Sequence, residues 1–599
     1  MNHTLSLCMI VKNESKNLPR CLASVAGLAD EIIIADTGST DDTVQIAQKL
    51  GAKIYYYPWN QNFSDARNFA ISKATGSWVL LLDADEKLEK ADHPKVRELM
   101  QDDSIDGAHF TIYNYMGAEV SDNCTLHNGF RLLRNSGQYC FEGEIHEQIT
   151  RRDKKEATGK LPITDIKIYH YGYMDNQAAA QQKRLRNIPI LKKQLENRPK
   201  DPFVLFNLGN EYLAMNSHTA ALEVYTRAFA EMDSRRAYAP HLIRRMVYCH
   251  QHLKQYDQAL ALVAQGLALY PACTDYEYAR ADIYQITRRY TMAIESLQRC
   301  LEMGEAPPPL RFTCGCGGDR ASLSLGELYF KLGDYPKAIG HFNRVLTQAP
   351  GRYGVLYRIG AALCRLFPNE QEARDRLYQY FAESQYPPNV IVASDILLEQ
   401  GVTAPVAPAI AGNNTEKEYP DDFCYLSAKH AFLTGQFEPA LQQFKELLAR
   451  EESPAAVLPG IRKESAKYAF AAALALGKEA PMQLLELVRK HCGNDYYKIC
   501  LQCCDLQIGG SRRMPALAQT GEAGLAMALD LLNRLLKAGQ LGLFERLLPI
   551  LELFENKAAL LRLAEVYQAN MAVQTVLRSI KELDTLDERG AEILWRHLR

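Results

Sequence analysis

The chain has almost no net charge, no long apolar run and no dense cysteine framework, and each shortage excludes something. Its 69 Lys and Arg stand against 71 Asp and Glu, a formal net charge of -2 over 599 residues. That balance gives no electrostatic case for nucleic acid or an anionic membrane as partner. No stretch reaches the roughly 20 consecutive apolar residues of a membrane span. The first residues lack the basic start, apolar middle and cleavage site of a leader, so the expectation is a cytoplasmic protein. Fifteen cysteines spread over the chain do not make a disulfide scaffold, and in a reducing compartment most are expected as buried thiols. Two groups stand out, Cys314-Gly-Cys316 and Cys500 with Cys503 and Cys504. A structural zinc site wants four ligands, and neither group has an evident second pair.

What is present is an ordinary globular composition, 47% apolar and 23% charged, on a chain too long for one core; about two to four domains are expected. Its focal stretch runs Trp78-Val79-Leu80-Leu81-Leu82-Asp83-Ala84-Asp85-Glu86. Five bulky apolar residues without alternation predict a strand buried on both faces of a parallel sheet, ending abruptly in acids. Ligands of open α/β sheets bind at the carboxyl ends of the strands, which puts Asp83, Asp85 and Glu86 at the crevice mouth. Acids one residue apart on an extended segment point the same way, so Asp83 and Asp85 are expected to share a divalent cation and the diphosphate it carries.

The residues before this stretch alternate strands and helices. Leu5 to Val11, Glu31 to Ala35 and Lys53 to Tyr57 read as strands. The helices pass through Leu18, Leu22 and Val25, through Val44, Ile46 and Ala47, and from Ser64 to Ala74. Such βαβ units with right-handed crossovers bring all strand ends to one edge, so Asp36 and Asp83 are expected to meet there. Asp36 suits a nucleobase or ribose, or is only a helix cap; Asp83 suits ribose, and Asp85 a metal bridging two phosphates. Arg67 reaches a phosphate or base from the side, or is a solvated helix residue. Beyond residue 105 the pattern turns to strands, at Gly107 to Tyr115, Gly129 to Arg134, around Tyr139 to Glu147, and Ile166 to Tyr173.

The linked motifs Met9-Ile10-Val11-Lys12-Asn13-Glu14, Asp36-Thr37-Gly38-Ser39-Thr40-Asp41, Trp59, Phe63-Ser64, Arg67-Asn68 and Asp83-Ala84-Asp85-Glu86 resemble family-2 glycosyltransferases of the GT-A fold. More narrowly, the chain resembles the bacterial subgroup in which this Rossmann-like, nucleotide-sugar-binding α/β domain precedes tetratricopeptide repeats, with peptide S-glycosyltransferases and certain lipopolysaccharide-core glucosyltransferases as kin. The resemblance covers about the first 190 residues. It implies a nucleotide-sugar donor, usually a uridine diphosphate sugar, with Mn²⁺ or Mg²⁺, and inversion at the anomeric carbon. By it, Asp36 contacts the uracil, Asp83 the ribose and Asp85 the metal. Arg131 to Arg134, Ile145-His146-Glu147 and His170-Tyr171-Gly172 also resemble the subgroup. Displacement at an anomeric carbon needs a base for the acceptor proton, for which Glu147 is first choice, with His146 and Glu144 behind it. His170 is a candidate to complete the metal shell beside Asp85, or a hydrogen-bonded histidine at a domain junction.

From Asp201 a repeat appears. Leu208-Gly209-(x2)-Tyr212 with Ala221, Tyr225 and Ala228 is one tetratricopeptide copy, and Leu325-Gly326-(x2)-Tyr329 with Ala338, Phe342, Val345 and Pro350 is the clearest. Weaker copies are anchored at Ala259, Ala293 and Ala440. The expected layout is a glycosyltransferase domain over 1–190, an all-α repeat solenoid over 191–400, a Pro/Ala/Asn-rich linker over 401–420 and degenerate helical repeats over 421–599. A solenoid groove suits a peptide, protein or surface-saccharide acceptor, or a protein partner. The competing expectation is a scaffold whose sugar-nucleotide domain has lost turnover.

Overall fold

The computed structural model describes residues 3–554 apart from 116–123, 154–158, 173–176, 353, 368, 383–388, 405, 407–417, 452–455, 459, 478–479 and 508–520. Tyr173, most of the expected 401–420 linker and the tail from 555 onward therefore lie outside the described residues.

The first domain is an eight-stranded mixed sheet. In chain order its elements are β1 (Leu5–Val11), α1 (Leu18–Ser24), β2 (Glu31–Asp36), α2 (Thr43–Lys49), β3 (Lys53–Tyr56), α3 (Phe63–Ile71), β4 (Trp78–Leu81), β5 (Glu86–Leu88), α4 (His93–Gln101), β6 (Gly107–Tyr115) and β7 (Cys124–Arg134). A small hairpin follows, β8 (Tyr139–Glu142) with β9 (Gln148–Arg151), and then β10 (Ile163–His170). The strand order is β3-β2-β1-β4-β7-β6-β10-β5. β1 runs parallel to β2 and β4, β2 to β3, and β6 to β10, while β7 is antiparallel to both its neighbours and β5 is antiparallel to β10.

The apolar runs produce this sheet because alternate residues of one strand serve two cores. Leu5, Leu7, Met9 and Val11 of β1 pack with Trp78, Leu80 and Leu82 in one cluster. Cys8, with Val79 and Leu81, packs in the other. A strand buried on both faces cannot alternate with polar residues, and each fully buried Leu or Ile contributes about 1.5–3 kcal/mol. Pro19 lies in the first turn of α1, where its missing N–H costs nothing. Asn62 caps α3, its side chain accepting from the Asp65 amide.

The register levels the strand ends. Cys8 pairs with Ile33 on one side and with Leu81 on the other, so β2, with Asp36, and β4, two residues before Asp83, both end at one edge of the sheet. Only β1 separates them, a span of roughly 10 Å at about 4.8 Å per strand.

Helices follow β10 throughout the described residues: α5 (Gln177–Asn197), which runs across residue 190, then α6 (Pro202–Ala214), α7 (His218–Ala230), α8 (Ala239–His252), α9 (Tyr256–Leu269), α10 (Thr274–Ile286), α11 (Tyr290–Met303), α12 (Asp319–Lys331) and α13 (Tyr335–Gln348). The small residue of the repeat pattern has a visible purpose. A Cβ on Gly209 would lie 2.2 Å from the Tyr225 ring, and one on Gly326 2.5 Å from the Phe342 ring, so glycine lets the aromatic of the second helix lie on the first helix's backbone.

The chain divides into two compact units. One comprises the described residues of Met1–Leu332 with Gly340–Arg352; the other comprises Gly333–Ile339 and the described residues of Tyr353–Arg599. The second unit is helical as well, with paired helices such as Pro420–Leu433 with Phe437–Ala449 and Ile461–Leu476 with Ala480–Cys492. Its interior carries charge. Lys429 is fully buried between Asp395 at 2.6 Å and Glu399 at 2.5 Å. No helix among the described residues is long and apolar enough to cross a membrane.

Candidate active site

Two loops at the carboxyl edge of the sheet are laced together before any ligand is considered. Asn13, in the left-handed region at φ 57°, accepts from the Thr40 amide at 2.7 Å and donates its own amide to Ser39 at 3.0 Å. The Glu14 amide donates to the Thr43 hydroxyl, and the Ser15 amide to Asp41. Asp36, 3% exposed, accepts from the Gly38 and Ser39 amides. The carboxylate is thereby fixed at the rim by its own turn, where Gly38 takes φ 104°.

Asp83 and Asp85 do not share one direction as an extended segment would require. The chain leaves β4 and turns at once, the Glu86 amide donating to the Asp83 carbonyl at 3.0 Å. The two carboxylates therefore meet different partners. Asp83 accepts from Arg67 Nη2 at 3.0 Å and has Arg131 at 3.9 Å. Partial burial works against its charge, but the two guanidinium groups outweigh that and hold the carboxyl well below its ordinary range. Glu86, expected at the crevice mouth, is instead 2% exposed. It begins β5 and accepts from Arg131 at 2.6 Å. Burial raises its pKa against the pull of Arg131.

Asp85 meets His170, the last residue of β10, with Oδ2 3.3 Å from Nε2. The other ring nitrogen, Nδ1, lies 2.7 Å from Asn114 Oδ1, which makes Nδ1 the protonated nitrogen and turns Nε2 toward Asp85. Burial disfavours the imidazolium, yet hydrogen bonding to Asp85 prevails and raises the His170 pKa. Gly172 keeps this space open. A Cβ there would fall 2.2 Å from Asp85 Oδ2 and 2.6 Å from His170 Nε2.

These two donors fit a divalent cation. Adjacent ligands on an octahedral ion with metal–ligand distances near 2.1 Å lie about 3.0 Å apart. Among the described residues no cluster of three or more His, Cys, Asp or Glu side chains is gathered for a metal. Such a cation would draw its remaining ligands from water and phosphate oxygens, the habit of Mg²⁺-type sites.

Arg67 ties this rim to the third candidate group. It reaches inward from α3, its Nε 3.1 Å from Glu147 Oε1 while Nη2 holds Asp83. It is thus neither a solvated helix residue nor a free arm at the side of the crevice. Its neighbour Asn68 fixes α3 to the β8 hairpin by a two-point amide pair with Phe141. The loop 143–147 then sends successive side chains to different places. Ile145 enters the core of the first helices beside Leu191, Val204 and Leu208. His146, at φ 54°, turns its Nε2 to 3.7 Å from Glu211 of α6. Glu147 faces Arg67. The Phe63 amide donates to the Glu144 carbonyl, and Ser64 to the Gly143 carbonyl, anchoring the loop's start on α3. The structure thus gathers Asp83, Arg67 and Glu147 in one group and Asp85 with His170 in another, with Asp36 along the same rim. It directs His146 away from both groups, toward the helices. Arg131 and Asn114 are polar partners that sequence reasoning gave no role. Their one signal was a charged or amide side chain inside an otherwise apolar strand pattern.

The cysteine groups stay thiols. None of Cys314, Cys316, Cys500, Cys503 and Cys504 is in a disulfide, and burial pushes the Cys504 thiol up to about 11.

Comparison with known proteins agrees with this architecture. Residues 6–158 match the model of Glycosyl transferase family 2, and residues 278–305, across α10 and α11, match that of the Tetratricopeptide repeat. The chain is similar to the SPbeta prophage-derived glycosyltransferase SunS of Bacillus subtilis, 30% identical over 292 residues, covering 47% of this chain and 66% of that one. It is similar to a TPR repeat-containing protein of Synechococcus elongatus, 35% identical over 213 residues, covering 34% and 51% respectively. A glycosyltransferase of Rickettsia conorii is 44% identical over 90 residues, covering 15% of this chain and 32% of its own. In none of the three does the match reach two thirds of the relative's length.

Proposed function

We propose that this chain, a family-2 glycosyltransferase domain joined to tetratricopeptide helices, is a metal-dependent, inverting glycosyltransferase. It moves a sugar from a nucleotide-sugar donor, a UDP-sugar, to a peptide, protein or surface-saccharide acceptor selected by the repeats, and it works in the cytoplasm. The observation that carries this reading is the set of acids at one sheet edge: Asp36 ends β2 and Asp83 follows β4 across β1, and Asp85 of the same turn meets His170.

Asp36 and Asp83 orient the nucleoside by accepting hydrogen bonds from base and ribose. Asp85 and His170 hold Mn²⁺ or Mg²⁺, which when bound supplies Lewis-acid stabilisation of the departing diphosphate. Glu147, fixed by Arg67, takes the acceptor proton as the nucleophile attacks the anomeric carbon, and a single displacement inverts that centre. His146 lies instead at the junction with the helices, its Nε2 3.7 Å from Glu211. The anchored loop supports this division, since Ile145 and His146 are engaged by the helices and Glu147 is the member left facing the crevice side.

The test is hydrolysis of UDP-sugars with Mn²⁺, run beside Asp85→Ala and preceded by a thermal-shift screen of nucleotide sugars, since a ligand of the folded form raises its apparent stability. Turnover lost in Asp85→Ala supports the reading. Equal and negligible turnover in both proteins, with no nucleotide sugar stabilising either, overturns it in favour of a scaffold.

A further inference from the structure

β7 is eleven residues long, but β4 pairs only with its last part, at Leu132, Leu133 and Arg134. Its first half would present open backbone groups along that side. The turn between α11 and α12 covers part of that edge: the Leu126 amide donates to the Phe312 carbonyl at 3.0 Å, and Asn128 Nδ2 donates to the Pro308 carbonyl at 2.8 Å. Between these two anchored residues is His127, whose Nδ1 lies 2.9 Å from Asn114 Nδ2. Asn114 is 5% exposed, and its oxygen meets His170 Nδ1. One amide thus spans two imidazoles, accepting from the histidine that faces Asp85 and donating to the histidine on the strand the repeat turn holds.

We propose that Asn114 is the positioning residue of the Asp85–His170 cation site, held in its working orientation by His127 on a strand that residues 308–312 of the repeat region secure. This rests on the reading of Asp85 and His170 as metal ligands. The amide fixes both the tautomer and the ring plane of His170, so that Nε2 presents its lone pair to the cation. A change in the 308–312 turn reaches His170 through the bond that anchors the strand and the two hydrogen bonds beyond it.

The test measures Mn²⁺ affinity by electron paramagnetic resonance in the presence of UDP, with UDP affinity in EDTA as control. Asn114→Leu keeps the size and removes the hydrogen bonds to His170 and His127; it is expected to weaken Mn²⁺ binding 10- to 100-fold with metal-free UDP binding unchanged. Asn114→Asp keeps the acceptor toward His170 and is expected to recover most of that loss, and Asn128→Ala to cost a few-fold. The proposal is overturned if Asn114→Leu binds Mn²⁺ within twofold of the parent, if its metal-free UDP affinity falls equally, or if the Asp variant is no better than the Leu variant. Asp85→Ala and His170→Ala run alongside. If these two keep full Mn²⁺ affinity, the metal assignment falls and the proposal with it. If they lose it while Asn114→Leu does not, only the role of Asn114 fails.

Discussion

Replacing Gly172 by Ala isolates the space between Asp85 and His170. The added methyl would stand 2.2 Å from Asp85 Oδ2 and 2.6 Å from His170 Nε2, where ordinary contact begins at 3.4 Å, so one or both side chains must retreat by about 1 Å. Cation sites tolerate ligand displacements of roughly 0.2 Å. A 1 Å retreat should therefore cost at least tenfold in Mn²⁺ affinity, about 1.4 kcal/mol. The backbone at Gly172 is outside the left-handed region, so alanine adds no conformational strain there, and its smaller unfolded-state entropy favours folding by about 0.4–1 kcal/mol. The expected pattern is weakened Mn²⁺ binding in the presence of UDP with a nearly unchanged melting temperature in EDTA. A Gly172→Ala protein that binds Mn²⁺ within a factor of about two of the parent, with equal turnover, would refute the assignment of the cation to this space.

Arg67→Ala should lower turnover about 100-fold or more, by freeing Glu147 and Asp83 from a common anchor. It should cost on the order of 1–3 kcal/mol in urea unfolding, less than a wholly buried pair because the Asp83 side chain is 38% exposed; Arg67→Lys, lacking the two-point fork, should not restore turnover. Glu31 accepts from Ser6, Thr75 and Lys53; burial opposes its charge, but these donors prevail and lower its pKa from 4.5 to about 2. Its stabilising effect is therefore full above pH 4.5 and lost as pH falls toward 2, so Glu31→Gln should lower stability at pH 7 by on the order of 2–3 kcal/mol and flatten the loss between pH 4.5 and 2 in acid-unfolding curves. Lys429→Met leaves the buried Asp395 without its cation, while Glu399, a third exposed, keeps Lys537 at 2.8 Å; it should cost about 3 kcal/mol by chemical denaturation, and adding Asp395→Asn should return most of it.

Much of the first domain was legible because each strand carries its own signal. Leu5–Val11 and Gly107–Tyr115 fall where the apolar pattern puts them, and the strand ends share a rim because parallel connections leave no other choice. What failed was direction inside turns. Asp-Ala-Asp reads as extended from spacing alone, yet the chain turns at Asp83 and separates its two acids. In the same way Ile145, His146 and Glu147 could not be ranked. Gly143 at φ 105° and His146 at φ 54° rotate successive side chains toward a helical core, a buried glutamate and the crevice side, and no periodicity encodes such rotations. Arg131 and Asn114 belong to strands whose partners are set by sheet order, so their roles became visible only once β7 was found between β4 and β6.

The same two seams that join sheet and helices also end at the two halves of the candidate site. At one, Ile145 is buried with Leu191 and Leu208, two residues before Glu147, so the loop carrying the proposed base takes its position from helices outside the sheet. At the other, residues 308 and 312 bind β7 on either side of His127, two hydrogen bonds from His170. A repeat array that only presented an acceptor would need neither seam to come so close to Glu147 and His170. Under the proposed mechanism, an acceptor that shifts these helices would move the base and the cation's imidazole together, so selecting the acceptor and aligning the reacting groups would be one mechanical event.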